Sequence, residues 1–405
     1  MRYLSLFSGI EAATQAWQPL GWECVAVSEI EPFPCAVLEH HYPHVPNLGD
    51  VTKITEQQIK DLGRIDLIVF GSPCQNLSVA GNRKGFDGEQ SSLFFDAMRI
   101  INYAKQHNGL RFALWENVLG AFSSNNGDDF TAVVSKMAGL PNLDTPTNKW
   151  GKEGAAVGDN GLLEWSVLDA QWFGLAQRRK RVFALLDTGN WQDRQPILLE
   201  QRGLRGDTPP SRETRQDTTT NTDKGTYREG GFGEFVSTDV GATVKASGGC
   251  LGGSESLAIS PVYCGTFDDA LYDCSIDVAP TLRAGSNGQV QAVAIAGNII
   301  GRTDGNGGNG NGYDDSGACY TLTTNDRHAV GYKDVVRKLM PLESERLQGF
   351  PDDFTKIPYR NKGAEHCPLG ARYKALGNSM AVNVMAWIGR SINEAVTNGN
   401  DNSRI

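Results

Sequence analysis

The chain has 405 residues, of which 40% are hydrophobic, and a formal net charge of −9. This composition is typical of a folded protein with one large domain and a smaller one. The first apolar run is too short for a signal peptide, and no segment approaches the roughly 18 apolar residues of a membrane span. We therefore expect an intracellular protein with no membrane partner.

The net charge of −9 argues against a nucleic-acid partner, because contacts to phosphates need Lys and Arg. A local positive face can still exist, since residues 178–181 read Arg-Arg-Lys-Arg. A solvated surface is the alternative explanation of this cluster. The eight cysteines form no CxxC pair, which predicts free thiols in a reducing compartment and no metal site.

The first half of the chain alternates strand-like apolar runs with segments of helix length. The runs are residues 3–7, 24–28, 65–70, 112–115 and 182–186. This rhythm predicts an α/β fold in which a parallel sheet carries helices on both faces. We assign it to a first domain, residues 1–188.

Residues 189–336 are rich in Gly, Asn, Thr, Ser and Asp, and they show little helical periodicity. We predict a second, smaller, loop-rich domain with short strands. Within it, segment 239–246 resembles segment 277–284. A true repeat would place Lys245 and Arg283 at equivalent points, where they could meet a phosphate backbone.

Helical patterning returns in a C-terminal segment, residues 337–405. Its last part, about 373–405, has apolar residues at helical spacing, with Asn378 or Ser379 as the predicted N-cap. An apolar helix face of this kind needs another apolar surface of the protein to cover it. We predict that it returns to the first domain.

Three predicted strand ends carry candidate binding residues. Phe7, Ser8 and Gly9 follow the first strand and open a helix, where backbone amides can face a ligand. Glu29 ends the second strand, where a carboxylate can bind both hydroxyls of a ribose, and Asp50 lies near the third. Because the loop is not GxGxxG, we expect a ligand that carries adenosine without a pyrophosphate.

Candidate chemical groups follow the neighbouring strands. Cys74 comes after the strand 65–70, and Glu116 and Asn117 end the strand that begins at residue 112. A basic segment, residues 177–181, precedes the run 182–186. In open α/β sheets such groups meet at one edge, so we expect a thiol, a carboxyl, an amide and guanidinium groups to converge.

The order of these motifs resembles the cytosine-C5 DNA methyltransferase family. The motifs are Phe-Ser-Gly, Pro-Cys-Gln, Glu-Asn-Val, Gln-Arg-Arg-x-Arg, then Arg-Lys-Leu-Met-Pro at 337–341, Gln-Gly-Phe-Pro at 348–351 and Gly-Asn-Ser at 377–379. The match covers the chain except about residues 190–330, which in that family is the variable target-recognition region. The resemblance implies a Rossmann-like S-adenosylmethionine-dependent methyltransferase sheet with a smaller target-recognition domain, residues 189–336.

The resemblance also implies roles for single residues. Cys74 corresponds to the nucleophile, Glu116 to the acid that engages the target base, and Arg179 to a further catalytic group. The residues implied at the S-adenosylmethionine site are Phe7, Ser8, Gly9, Glu29, Ile30, Asp50, Pro73, Leu93, Asn378 and Ser379. The residues implied in contact with DNA or the target base are Gln75, Asn117, Val118, Gln177 and Arg181. Residues 71–92 correspond to a mobile catalytic loop.

These residue types suit methylation at C5 of cytosine. A thiolate that adds to C6 enables C5 to attack a sulfonium methyl group, while Glu116 and Arg179 would stabilise charge on the ring. The target base must leave the duplex, which calls for a separate recognition domain and no metal. We expect a monomer on duplex DNA, without an obligate protein partner, in the cytoplasm of a bacterium and of bacterial or phage origin.

Four alternatives stay open at this point. Methylation of cytosine in RNA uses the same chemistry, but the long 190–330 region favours DNA. A zinc cytidine deaminase is disfavoured because Leu77 stands where PCxxC needs its second cysteine. A catalytically silent DNA-binding protein is disfavoured because Cys74, Glu116 and Arg179 are all present. A nicotinamide oxidoreductase is disfavoured by the missing glycine pattern.

Overall fold

The structure is a computed structural model. It describes residues 1–72, 93–147, 149–192, 194–199, 322 and 339–401, together with seven short strands between residues 226 and 338. The predicted catalytic loop beyond Ser72, with Pro73, Cys74 and Gln75, lies outside the described residues, as do both segments of the predicted repeat.

A seven-stranded sheet forms the centre of the fold. Its strands are β1 (Arg2–Leu6), β2 (Glu23–Ser28), β3 (Leu67–Phe70), β4 (Phe112–Val118), β5 (Glu153–Gly158), β6 (Gly161–Asp169) and β7 (Lys180–Asp187). Their order in the sheet is β2-β1-β3-β4-β7-β6-β5. The five predicted strands are therefore present, and the α/β class is confirmed.

The sheet is mixed, whereas the alternating sequence pattern predicted a parallel sheet. Strands β1 to β4 pair in parallel, whereas β7 is antiparallel to β4, β6 to β7, and β5 to β6. Parallel neighbours need a long crossover, usually a helix. Only the short segment 170–179 joins β6 to β7, which suits an antiparallel pair.

The described residues form eight α-helices. They are α1 (Ala12–Trp17), α2 (Pro32–His41), α3 (Glu56–Asp61), α4 (Leu93–His107), α5 (Asp128–Ala138), α6 (Pro341–Gln348), α7 (Leu369–Asn378) and α8 (Val382–Asp401). Short 3₁₀ helices also occur, at residues 18–20, 51–53, 119–122, 124–127, 170–173 and 364–366.

Strand β3 shows why helices lie on both faces of the sheet. All four of its residues are buried. Leu67 and Val69 join one core cluster, which includes α1 and α8, while Ile68 and Phe70 join the other, which includes α4 and α5. Alternate side chains of a strand point to opposite faces, so a continuous apolar run needs cover on both.

The C-terminal helix α8 packs against α1, as its apolar stripe predicts. The indole of Trp17 donates to the carbonyl of Met385 at 2.7 Å, and Ile388 and Ile392 are fully buried. The predicted N-cap was wrong, however. Asn378 is the last residue of α7 and Ser379 follows it, whereas α8 begins at Val382.

The middle of the chain contributes two further small sheets. Their strands are β8 (Thr226–Gly230), β9 (Glu234–Thr238), β10 (Leu257–Ala258), β11 (Val293–Ile295), β12 (Tyr313–Asp314), β13 (Ala329–Tyr332) and β14 (Val335–Lys338). Their orders are β10-β8-β9 and β12-β11-β13-β14. Short antiparallel strands agree with the predicted character of this region, while its boundaries at 189 and 336 stay predictions.

Within the described ranges, no helix is long and apolar enough to cross a membrane. The same residues contain no group of three or more His, Cys, Asp or Glu side chains that could hold a metal ion.

Candidate active site

The loop after β1 follows an unusual backbone path. Phe7, Gly9 and Glu11 have φ angles of 54°, 55° and 65°. This left-handed region costs a residue with a side chain about 1–2 kcal/mol, and glycine almost nothing. Ser8 helps to hold the path, because its Oγ donates to the carbonyl of Ser5 and its N–H donates to the carbonyl of Ser28 on β2.

Glu29 braces this loop from the end of β2. Its Oε2 accepts the N–H of Gly9 at 2.8 Å, and its Oε1 accepts the N–H groups of Ile30 and Glu31, each at 2.8 Å. The carboxylate is thereby fixed beside the β1 loop. The side chain of Ile30 is 67% exposed, so an apolar surface lies free next to it.

A cavity lies where the ends of β1, β3 and β4 meet the C-terminal segment. Its lining residues are Ser5, Leu6, Phe7, Ser8, Gly9, Glu11, Ala12, Ala13, Val69, Gly71, Glu116, Asn378, Ser379 and Met380. The structure thus brings six of the predicted site residues around one space. A side chain at Gly71 would fill it, since a Cβ there would lie 3.3 Å from Met380 Cε and 3.4 Å from Glu116 Oε2.

Four of the described residues predicted at the cofactor site lie outside this lining, namely Glu29, Ile30, Asp50 and Leu93. Ile30 stands beyond Glu29 at the surface. Asp50 caps the 3₁₀ helix 51–53, and hydrogen bonds from Thr52 hold the pKa of Asp50 below its usual value. Leu93 begins α4 and packs against the core.

Glu116 is the acidic group of this cavity at the end of β4. Its side chain is only 12% exposed, and its Oε1 lies 3.2 Å from Nε of Arg181. Burial raises the pKa of Glu116, although the guanidinium groups of Arg181 and Arg179 act in the opposite direction. The environment therefore makes Glu116 easier to protonate than a solvent-exposed glutamate.

Ser72 and Asn117 join the ends of β3 and β4. The amide of Asn117 donates to the carbonyl of Ser72 at 3.1 Å, and the indole of Trp115 donates to Ser72 Oγ, also at 3.1 Å. Asn117 is 5% exposed and holds the end of β4 against the end of β3, while its contact to DNA stays a prediction. Val118, the next residue, is 41% exposed.

The structure places the guanidinium of Arg179 in the interior of the protein, while its role at the target base stays a prediction. Arg179 is buried, and its Nη atoms donate to the carbonyls of Leu322, Gly377 and Ser379 at 2.9, 3.1 and 2.6 Å. These bonds direct the guanidinium towards the backbone of the C-terminal segment. Arg181, predicted only as a DNA contact, is the cation beside Glu116.

Gln177 is likewise an interior group, and its contact to DNA stays a prediction. It has no exposed surface, its Nε2 donates to the carbonyl of Leu347, and its Oε1 accepts the N–H of Leu322. Together with Arg179 it holds both backbone groups of Leu322. Two residues of the basic segment 177–181, Gln177 and Arg179, therefore hold Leu322 and the C-terminal segment next to the cavity.

Comparison with known proteins decides the family. The family model described as C-5 cytosine-specific DNA methylase matches residues 1–394. The chain belongs to this family. A likeness over almost the whole length, including the C-terminal segment that closes the cavity, agrees with the order of the sequence motifs.

Individual proteins resemble this chain with different sequence identities and over different shares of their lengths. The chain is 30% identical over 97% of its length to a DNA N-6-adenine-methyltransferase of Escherichia phage P1, but it spans only 61% of that protein. It is 23% identical to the type II methyltransferase M.HhaI of Haemophilus parahaemolyticus, with 98% of this chain and 95% of that one covered. A crystal structure of a DNMT2 of Spodoptera frugiperda has 14% identity, a TM-score of 0.52, and coverage of 97% of this chain and 99% of that one. This last comparison shows a shared fold.

Glu11 and Met380 are among the residues that line the cavity without a predicted role. Glu11 stands two residues after Gly9, and Met380 directly follows Ser379. Both are sequence neighbours of motif residues, which is the signal that could have found them. Nothing in the pattern reveals that Glu11 would be 1% exposed.

We expect Arg179→Met to destabilise the protein by about 3 kcal/mol or more, because three buried carbonyls would lose their donor. The measurement is the free energy of unfolding in urea. Arg178→Met is the matched control, since Arg178 is exposed and its replacement should change stability by less than about 0.5 kcal/mol. Equal effects at the two positions would contradict the anchoring role.

We expect Arg181→Gln to raise the pKa of Glu116 further, because the nearest opposing cation is removed. Titration of a 13C-labelled Glu116 carboxyl by NMR measures this shift. Arg178→Gln should leave the pKa of Glu116 unchanged. A fall in this pKa in Arg181→Gln would show that the ion pair does not control the protonation of Glu116.

Proposed function

We propose that this methylase-family chain transfers a methyl group from S-adenosylmethionine to C5 of a cytosine in duplex DNA. The observation that carries the proposal is the pair of Glu116 and Arg181 at the cavity. A carboxyl with a raised pKa stands there beside a cation, on the same wall as Gly71, three residues before Cys74. This combination suits a base that must accept a proton and keep its carbonyl polarised.

The cavity and its rim fit S-adenosylmethionine, which supplies a transferable methyl group on a sulfonium when it is bound. Glu29 is fixed by three backbone N–H groups, so its remaining lone pairs are oriented to accept from ribose hydroxyls. The exposed Ile30 side chain offers an apolar face for the adenine, and Asp50 an acceptor for its amino group. Asn378 and Ser379 close the other wall.

For the target base, we assign the roles in sequence. Cys74, as a thiolate, adds to C6 while Glu116 donates its proton to N3, which makes C5 nucleophilic. Arg181 polarises the carbonyl at C2. After C5 has taken the methyl group, loss of the C5 proton to solvent expels the Cys74 thiolate, and the N3 proton returns to Glu116.

The substrate and setting of the protein form part of the proposal. A cytosine in a duplex is reached only when it is flipped out, so residues 189–336 would read the surrounding sequence from the grooves. We infer that the protein acts as a monomer in a bacterial cytoplasm, either in a restriction-modification system or in the protection of phage DNA.

The test is the identity of the modified nucleoside. The full chain is expressed in bacteria that lack cytosine methylation, and their DNA is hydrolysed and analysed by mass spectrometry. We expect 5-methyldeoxycytidine, and bisulfite sequencing of the same DNA should place it in one recurring sequence. Expression of folded protein with unmodified DNA would overturn the proposal, and 5-methylcytidine in RNA would redirect it to an RNA substrate.

The phage P1 relative supports a second candidate, methylation of adenine at N6. That protein is named for this activity, and this chain matches it over 97% of the chain's own length. The match leaves more than a third of the phage protein uncovered, so its adenine activity can reside outside the shared part. Detection of N6-methyldeoxyadenosine without 5-methyldeoxycytidine would favour this candidate.

A further inference from the structure

Glu11 lines the cavity, and both its backbone conformation and the burial of its carboxyl are energetically unfavourable. Its backbone is left-handed, with φ 65° and ψ 61°, and its side chain is 1% exposed. The Oε1 atom accepts the N–H of Thr14 at 3.2 Å, but Oε2 is buried and has no hydrogen-bond partner in the described part of the chain. A serine or asparagine would cap α1 without burying a carboxyl.

No cation of the described residues balances the carboxyl of Glu11. Burial raises the pKa of Glu11 to about 7, while the hydroxyls of Ser5 and Thr14 and the N–H of Thr14 act in the opposite direction. A strained backbone and a perturbed carboxyl together at a cavity are typical of a functional position.

We propose that Glu11, as a carboxylate, provides the counter-charge for the cationic cofactor in this cavity, and so selects S-adenosylmethionine over neutral adenosine thioethers. The inference rests on the proposed function. S-adenosylmethionine carries an ammonium and a sulfonium, and either charge placed in a buried site favours a nearby anion.

Three titratable neighbours of Glu11 are neutral near pH 7. Tyr3 on β1, Cys24 on β2 and Tyr42 after α2 all have their pKa raised, chiefly by burial, with Glu11 as a further cause. Glu116 lines the same cavity from β4 with a raised pKa. Glu116 is therefore the group whose titration must be separated from that of Glu11.

The first experiment compares ligands by isothermal titration calorimetry on the full chain. Glu11→Gln keeps the length of the side chain and an acceptor for Thr14, but it removes the charge. We expect it to weaken S-adenosylmethionine about 10-fold or more. Binding of the neutral thioether 5′-deoxy-5′-methylthioadenosine should change less than about 2-fold. The matched control is Glu39→Gln, at an exposed position of α2, which should bind both ligands as the wild type does.

The second experiment measures the protons that are released when S-adenosylmethionine binds. Because burial raises the pKa of Glu11 to about 7, binding of S-adenosylmethionine to the carboxylate should release protons near neutral pH. The release is measured by calorimetry in buffers of different ionisation enthalpy. It should vanish in Glu11→Gln and persist in Glu116→Gln.

Two results would overturn the inference. One is equal weakening of both ligands in Glu11→Gln, which indicates a structural cap. The other is proton release that persists in Glu11→Gln and is lost in Glu116→Gln. Failure of the wild type to bind S-adenosylmethionine at all would instead refute the proposed function, so the two failures are distinguishable.

Discussion

Replacement of Cys74 by alanine is expected to abolish methyl transfer, with a loss of about 10⁴-fold or more in kcat/KM. Without the thiol no covalent bond to C6 forms, and C5 of cytosine stays a poor nucleophile. The measurement is the incorporation of labelled methyl groups from S-adenosylmethionine into plasmid DNA. Cofactor binding should change little, because the described cavity is built from other residues.

A matched control separates chemistry from folding. Cys367 is a buried free thiol that donates to the carbonyl of Thr355, and it does not line the cavity. Cys367→Ala should therefore retain methyl transfer within about 10-fold. Methylation by Cys74→Ala at a rate close to that of the wild type would refute the covalent mechanism.

Trapping gives an independent check of the same bond. Fluorine at C5 of the target cytosine cannot leave as a proton does, so the Cys74 adduct cannot break down after methyl transfer. Wild-type protein should form a complex with 5-fluorocytosine DNA that survives denaturation in detergent. Cys74→Ala should form none.

The sequence predicted the parallel half of the sheet because its strands are continuous apolar runs. Leu67–Phe70 is buried on both faces, and such runs are hard to place elsewhere. The antiparallel edge was missed for a physical reason. Strand β5 (Glu153–Gly158) alternates half-buried and exposed residues and contains glycine and alanine, so its apolar signal is weak.

The candidate site was predictable wherever a motif follows a strand directly. Phe7, Gly9 and Glu116 lie at strand ends, so the topology alone brings them to one edge. The roles within the basic motif were not predictable in this way. Which of Arg179 and Arg181 reaches Glu116 depends on the backbone of Leu322 and Ser379, which are distant in sequence.

The apolar stripe within residues 373–405 shows which features of a helix its periodicity can predict. It predicted a buried helix face correctly, because Val384, Ile388 and Ile392 are all buried. It placed the start of the helix too early, because α7 continues through Asn378 and only a short break separates it from α8. Helix ends depend on local capping, which an apolar pattern does not report.

Glu116→Gln is expected to lower kcat by about 10²–10³-fold, because the amide cannot transfer a proton to N3 of the base. The pH dependence follows from the direction of the pKa shift. Burial raises the pKa of Glu116, and its active form is the protonated one, so activity falls as pH rises through this raised pKa. The Cys74 thiolate needs the opposite condition, which predicts a bell-shaped profile of kcat against pH.

The two limbs of the profile can be assigned with variants. Arg181→Gln should move the falling limb to higher pH, since removal of this cation raises the pKa of Glu116. Glu116→Gln should lose that limb and keep the rising one. Glu394→Gln, at an exposed position of α8, is the control and should reproduce the wild-type profile. A falling limb that survives in Glu116→Gln would belong to another group, and Glu116 would then act through its hydrogen bond to the base rather than by proton transfer.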